Sequence, residues 1–108
     1  MSEQKVWSLV MFDVPTKTKT QVRAYTQLHK ELLYLGFTHL QHSVYARYVP
    51  FVEPIAGIYK CIKAVCPPGG DIRMILISDS QWGKQVRIFN EEEEKPEDPP
   101  DQLEIFEP

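Results

Sequence analysis

Residues 6–15 read Val6-Trp7-Ser8-Leu9-Val10-Met11-Phe12-Asp13-Val14-Pro15, and this stretch decides the fold. Apolar side chains fall on both parities from Val6 to Phe12, the pattern of a strand buried on both faces. Pro15 has no amide hydrogen and drives Val14 toward extended geometry, so pairing stops there. Asp13 is thereby held at the rigid end of a strand, just ahead of a helix. Two readings of that carboxylate stand: a turn or capping residue, or a ligand for a metal ion.

Working outward, Thr16 and Thr18 are candidate caps of a helix whose apolar stripe is Val22, Tyr25, Leu28, Leu32 and Leu35. Gly36 suits the left-handed residue that closes such a helix. The segment 37–48, FTHLQHSVYARY, alternates as one strand. Leu40, His42, Val44 and Ala46 form its core side, and Gln41, Ser43, Tyr45 and Arg47 its polar side. A second helix is expected from about Phe51, with Pro54 in its first turn and Ile55, Ile58, Tyr59, Ile62 and Val65 inward. Pro67, Pro68, Gly69 and Gly70 make a turn. Ile72 to Ile77 read as a second strand apolar on both faces, closed by Asp79 and Ser80, and Gln85 to Phe89 as a short final strand of the body.

This order predicts an α+β, ferredoxin-like βαββαβ domain over residues 1–90, with two helices on one face of an antiparallel sheet. Two strands apolar on both parities suit the two central positions. They also require a cover for the second face, and with only two helices available the expected cover is a second copy, giving a homodimer with its sheets facing each other.

The net charge of -3 hides a division between the ends of the chain. Residues 1–90 hold 11 Lys/Arg against 6 Asp/Glu, a balance of +5; residues 91–108 hold one lysine against nine acids, a balance of -8. A basic body attracts polyanions, whereas the acidic tail either screens that surface or serves as a solubiliser. Residues 91–101 read as an extended acidic, proline-rich linker. Residues 102–106 then bring Leu103, Ile105 and Phe106, expected as an added strand on the partner subunit's sheet edge. No apolar run approaches the roughly 20 residues of a membrane span, and no secretory leader is recognisable, so a cytoplasmic protein with no membrane association is expected. Cys61 and Cys66 are too few and too close for a disulfide framework and read as helix packing positions.

Among chemical candidates Asp13 comes first. One carboxylate holds Mg2+ poorly, because that ion demands near-octahedral oxygen ligation. Two copies of Asp13 meeting at a twofold axis remove this shortfall, and Asp79 is a candidate assistant. Ser43 and Arg47 are candidates to hold a phosphate, and Lys17, Lys19 and Arg23, with Lys30, Lys60 and Lys63, to follow a nucleic-acid backbone. Solvated helix faces have the same composition as the latter group. His39 and His42 are expected on opposite strand faces, against a zinc site, and His29 on a helix flank.

Four segments resemble the Cas2 family, the small CRISPR-associated subunit of the adaptation module. VWSLVMFDVP is similar to its first strand and terminal aspartate, and GFTHLQHSVYARY, with Gln41, Ser43, Val44, Tyr45 and Arg47, to its second. PPGGDIRMILISDSQW resembles its turn, third strand and bend, and PPDQLEIF its terminal strand, which in the family pairs with the other subunit. The resemblance implies a ferredoxin-like homodimer, Mg2+ at Asp13 of both chains, and the metal-dependent endonuclease (phosphodiesterase) activity of some members. It also implies a role in CRISPR antiviral defence: bridging Cas1 integrase dimers and holding double-stranded spacer DNA during integration. The sparse cations of the first helix and the acidic linker depart from many relatives. Two alternatives remain: a stand-alone metal-dependent endoribonuclease or DNase, and a non-catalytic regulatory dimer of the same fold.

Overall fold

The computed structural model describes residues 5–50 and 55–90. Four strands, β1 (Val6–Asp13), β2 (Thr38–Gln41), β3 (Val44–Val49) and β4 (Asp71–Ser78), alternate with helices α1 (Lys19–Tyr34) and α2 (Ile55–Ala64). A short helix α3 (Asp79–Gly83) follows β4 directly. The sheet is antiparallel throughout, in the order β2-β3-β1-β4, which is the ferredoxin-like topology.

Each element has a local cause. Thr18 caps α1 through a reciprocal pair: Gln21 N–H donates to Thr18 Oγ1 at 3.1 Å, and Thr18 N–H to Gln21 Oε1 at 3.0 Å. Gly36 ends the helix at φ 92°, and a Cβ there would meet Arg47 Nε at 3.2 Å, so both conformation and space require glycine. The core lies between the sheet and both long helices: Val10 and Phe12 of β1, Leu28 and Leu32 of α1, Phe37, Tyr45 of β3 and Ile62 of α2. Even-numbered β1 residues therefore face the helices. The odd-numbered ones, with their cross-strand partners Val44, Ala46 and Tyr48 on β3 and Ile75 and Ile77 on β4, form the opposite face.

Several sequence expectations are corrected. The two-sided apolar strand β4 is an edge; β1 and β3 hold the centre. Segment 37–48 is a hairpin, with an irregularity between His39 and Gln41 and a turn at His42 and Ser43. Each such break shifts the alternation, and a shift of one residue exchanges the faces. Tyr45 is accordingly fully buried on the helix side, with Arg47 on the same side, and the polar face Gln41-Ser43-Tyr45-Arg47 does not exist. Val22 is 46 % exposed rather than a core residue. Cys61 is exposed, and Cys66 lies beyond the end of α2. Residues 85–90 belong to no strand; Val86 and Ile88 are 83 % and 91 % exposed. Helix α3 was not anticipated. Phe51, Pro54, the 91–101 linker and the 102–106 strand with Leu103, Ile105 and Phe106 lie outside the described residues.

Candidate functional site

At the end of β1, Asp13 is exposed and pairs across the sheet with Asp71, the first residue of β4. Beside it opens a cavity of about 240 Å³ lined by Asp13, Val14, Thr16, Val22, Tyr25, His42 and Ser43. Its wall is built from the core outward. Phe12 N–H donates to Ser43 O at 3.2 Å, clamping the β2–β3 turn to β1 one residue before Asp13. The Phe12 ring meets the Tyr25 ring edge-on at 6.1 Å, and Tyr25 lies nearly parallel to His42 at 6.2 Å and 20°.

The sequence candidates divide around this cavity. Ser43 lines it with Asp13, and Lys17 and Lys19 stand exposed at the start of α1, near the Thr16 wall. Arg23 lies one turn further along, on an open groove shared with Lys30. Arg47 does not join them. It pairs with Ser8, five residues before Asp13, or roughly 17 Å along the sheet, and lies over Gly36. Asp79 is excluded as an assistant. It sits beside Lys5 at the opposite end of β1, roughly 26 Å away, and accepts a hydrogen bond from Trp7 Nε1 at 2.9 Å. Asp71 and His42 are the residues that sequence reasoning missed. The turn Pro67–Gly70 leading into Asp71 was the available sign for the first; the polar triplet Gln41-His42-Ser43 interrupting the strand was the sign for the second.

The remaining histidines form a separate group on the helix side. His29 Nδ1 shares a hydrogen bond with the Tyr45 hydroxyl, and His39 stacks flat on the Tyr45 ring at 4.4 Å and 5°. Burial, with a smaller contribution from Tyr25, pushes the Tyr45 phenol up to about 12. His39 and His42 thus both meet rings of the helix side rather than opposite faces.

The far face of the sheet is largely apolar. Trp7, Leu9, Met11, Val44, Ala46, Ile75 and Ile77 share it with Thr38 and the exposed Arg73, which pairs with Met11, and Trp82 of α3 stacks on Trp7 at 4.2 Å and 12°. Among the described residues no long helix covers it. No helix there is long and apolar enough to cross a membrane.

This α+β fold is shared with known proteins. Residues 6–85 match the family model described as CRISPR associated protein Cas2, and the chain belongs to that family. It is 35 % identical over 102 residues to the "CRISPR-associated endoribonuclease Cas2" of Parvibaculum lavamentivorans, covering 94 % of this chain and 100 % of that one. It is 31 % identical over 103 residues to the protein of the same name from Flavobacterium psychrophilum, covering 95 % and 90 %. The crystal structure of Streptococcus pyogenes Cas2 at pH 6.5 superposes with a TM-score of 0.58 at 21 % identity, covering 78 % of this chain and 99 % of that one.

Proposed function

We propose that this chain works as a homodimeric CRISPR adaptation subunit that bridges Cas1 integrase dimers, holds double-stranded spacer DNA, and hydrolyses phosphodiesters with Mg2+ at Asp13. One observation carries the reading: the largely apolar sheet face, which no long helix among the described residues covers, ends, along β1, in Asp13. A second copy laid on that face buries Leu9, Met11, Ile75 and Ile77 and brings two Asp13 carboxylates toward one axis. The edge of β4, which no other described strand pairs, with the exposed Val86 and Ile88 following it in sequence and Leu103, Ile105 and Phe106 beyond, supports strand exchange between copies.

The donors at this end suit a hard cation. Asp13, Asp71, Thr16 and Ser43 offer oxygen only, the preference of Mg2+. Among the described residues no group of three or more His, Cys, Asp or Glu converges, and in this reading a second copy adds its own Asp13 to the set. Bound there, the ion supplies polarisation of the phosphodiester and a more acidic water. Lys17, Lys19 and Arg23 hold the backbone that crosses this end. The endoribonuclease names of the relatives support the hydrolytic part, with RNA as the alternative substrate.

The test is purified protein with Asp13→Ala as its control. Sedimentation should give a dimer, and Mg2+-dependent cleavage should vanish in the variant while Cas1 binding and spacer acquisition persist. A monomer at micromolar concentration refutes the two-copy site, and unchanged cleavage by Asp13→Ala refutes its hydrolytic role.

A further inference from the structure

We propose that the acidic segment 91–98 of this chain docks on a cationic stripe of α1 and occupies it until a nucleic-acid backbone displaces it. The displacement rests on the function proposed above; the docking does not. The stripe follows from helix geometry. At about 100° per residue, Lys19, Arg23 and Lys30 fall within about 40° of one another around the axis of α1. All three are exposed, and among the described residues none has a carboxylate within ion-pair distance. Arg23 and Lys30 line an open groove of about 580 Å³ with Thr26 and Tyr34, and Glu31, the one acid of α1, lines it too. Solvated cations on a helix are ordinary, and these three alone name no ligand.

The chain supplies the ligand itself. Residues 91–98 hold six acids against Lys95, a balance of -5, and begin directly after Asn90, the last described residue. Glu91, Glu92, Glu93 and Glu94 are consecutive. An extended run of this kind presents a carboxylate about every 3.4 Å, whereas the three cations stand roughly 6 and 10 Å apart along α1. One run therefore meets both intervals. The tether also reaches: eight extended residues span roughly 27 Å, and a four-stranded sheet is only about 14 Å wide. A segment so tethered acts at about millimolar effective concentration, which populates even a weak contact. The contact is electrostatic and exposed, so salt weakens it. It takes the same cations that a phosphate backbone needs, and binding of a duplex must first release it.

A solvated tail that merely repels polyanions also weakens duplex binding, but it leaves α1 untouched. The test is full-length, isotope-labelled protein carrying Glu91→Gln, Glu92→Gln, Glu93→Gln and Glu94→Gln together, with Leu103, Ile105 and Phe106 unchanged. Without nucleic acid at low salt, the backbone amide signals of Lys19, Arg23 and Lys30 should differ between this variant and wild type. The difference should vanish near 0.3 M salt, where charges are screened beyond about 6 Å. Affinity for a DNA duplex, read by fluorescence anisotropy at low salt, should rise about tenfold, the effect of a millimolar tether on a contact of about 0.1 mM. In an Arg23→Gln, Lys30→Gln background the same tail change should gain less than about twofold, because the two sites are coupled. Unmoved α1 signals, or a gain that persists in that background, overturns the docking and leaves the nucleic-acid reading standing. Duplex binding by neither protein, with the α1 signals moved, overturns the displacement together with that reading.

Discussion

Asp13 and Asp71 face each other as the last pair of the β1–β4 ladder, two carboxylates on adjacent strand ends with Ile72 and Phe12 as the next pair inward. Directly opposed like charges destabilise a sheet by about 0.2–1 kcal/mol. Asp71→Asn should therefore raise the melting temperature in metal-free buffer, and millimolar Mg2+ should shrink that advantage by stabilising wild type more than the variant. Thermal melts of both proteins with and without Mg2+ measure it. An equal response of the two to Mg2+ removes Asp71 from the ion's surroundings.

At the other end of the same ladder, Trp7 is sandwiched in a different manner. Trp82 stacks on it, Tyr48 tilts against it at 5.2 Å, and Asp79 accepts its indole N–H. The five residues of α3 are too few to hold a helix by backbone bonds alone, so this ring pair anchors them. Trp82→Ala should cost about 1–3 kcal/mol, the stacking contribution plus lost apolar contact, in urea unfolding. Loss of less than about 0.5 kcal/mol would show that α3 is held by its Ser78 cap instead.

Much of this arrangement was legible in the chain, and the failures have common causes. The β1 pattern, the Thr18 cap and the Gly36 stop are local signals, decided by a few neighbours, and each holds. The order of elements then leaves little choice of topology. What the sequence concealed depends on ladder partners and faces. Strand β4 carries apolar residues on both sides, yet Ile75 is 44 % and Leu76 50 % exposed, because apolar composition records a need for cover and does not say which strand neighbours provide the hydrogen bonds. The hairpin at His42 was lost because an unseen irregularity at His39–Gln41 resets the alternation. The same error hid His42 from the candidate site and placed Arg47 within it.

The helical stripe of α1 gives a direct check on burial. Leu28 and Leu32 are completely enclosed, while Val22, on the same predicted stripe, lines the rim of the cavity. Leu32→Ala should cost about 2–5 kcal/mol through lost contacts and a residual void. Val22→Ala, removing two methyl groups already half in water, should cost under about 1 kcal/mol. Denaturant midpoints at constant slope compare the two, and similar losses would mean that α1 is rotated from the orientation described.

Tyr45 makes the stability of the fold sensitive to alkali. Its phenol is enclosed and bonded to His29, and its ionisation is pushed from 10.0 to about 12 in the folded chain, chiefly because burial disfavours the phenolate. Below the ordinary value both states carry the proton and the group has no effect on the pH dependence. Between the two values the unfolded chain loses its proton and the folded chain keeps it, so stability falls as pH rises. Wild type should therefore lose stability progressively from pH 10 to 12. Tyr45→Phe starts lower at neutral pH, since His29 loses its partner, but should fall less steeply across that window. Denaturation at a series of pH values measures the two slopes, and parallel slopes would show that Tyr45 ionises in the folded chain as readily as in the unfolded one.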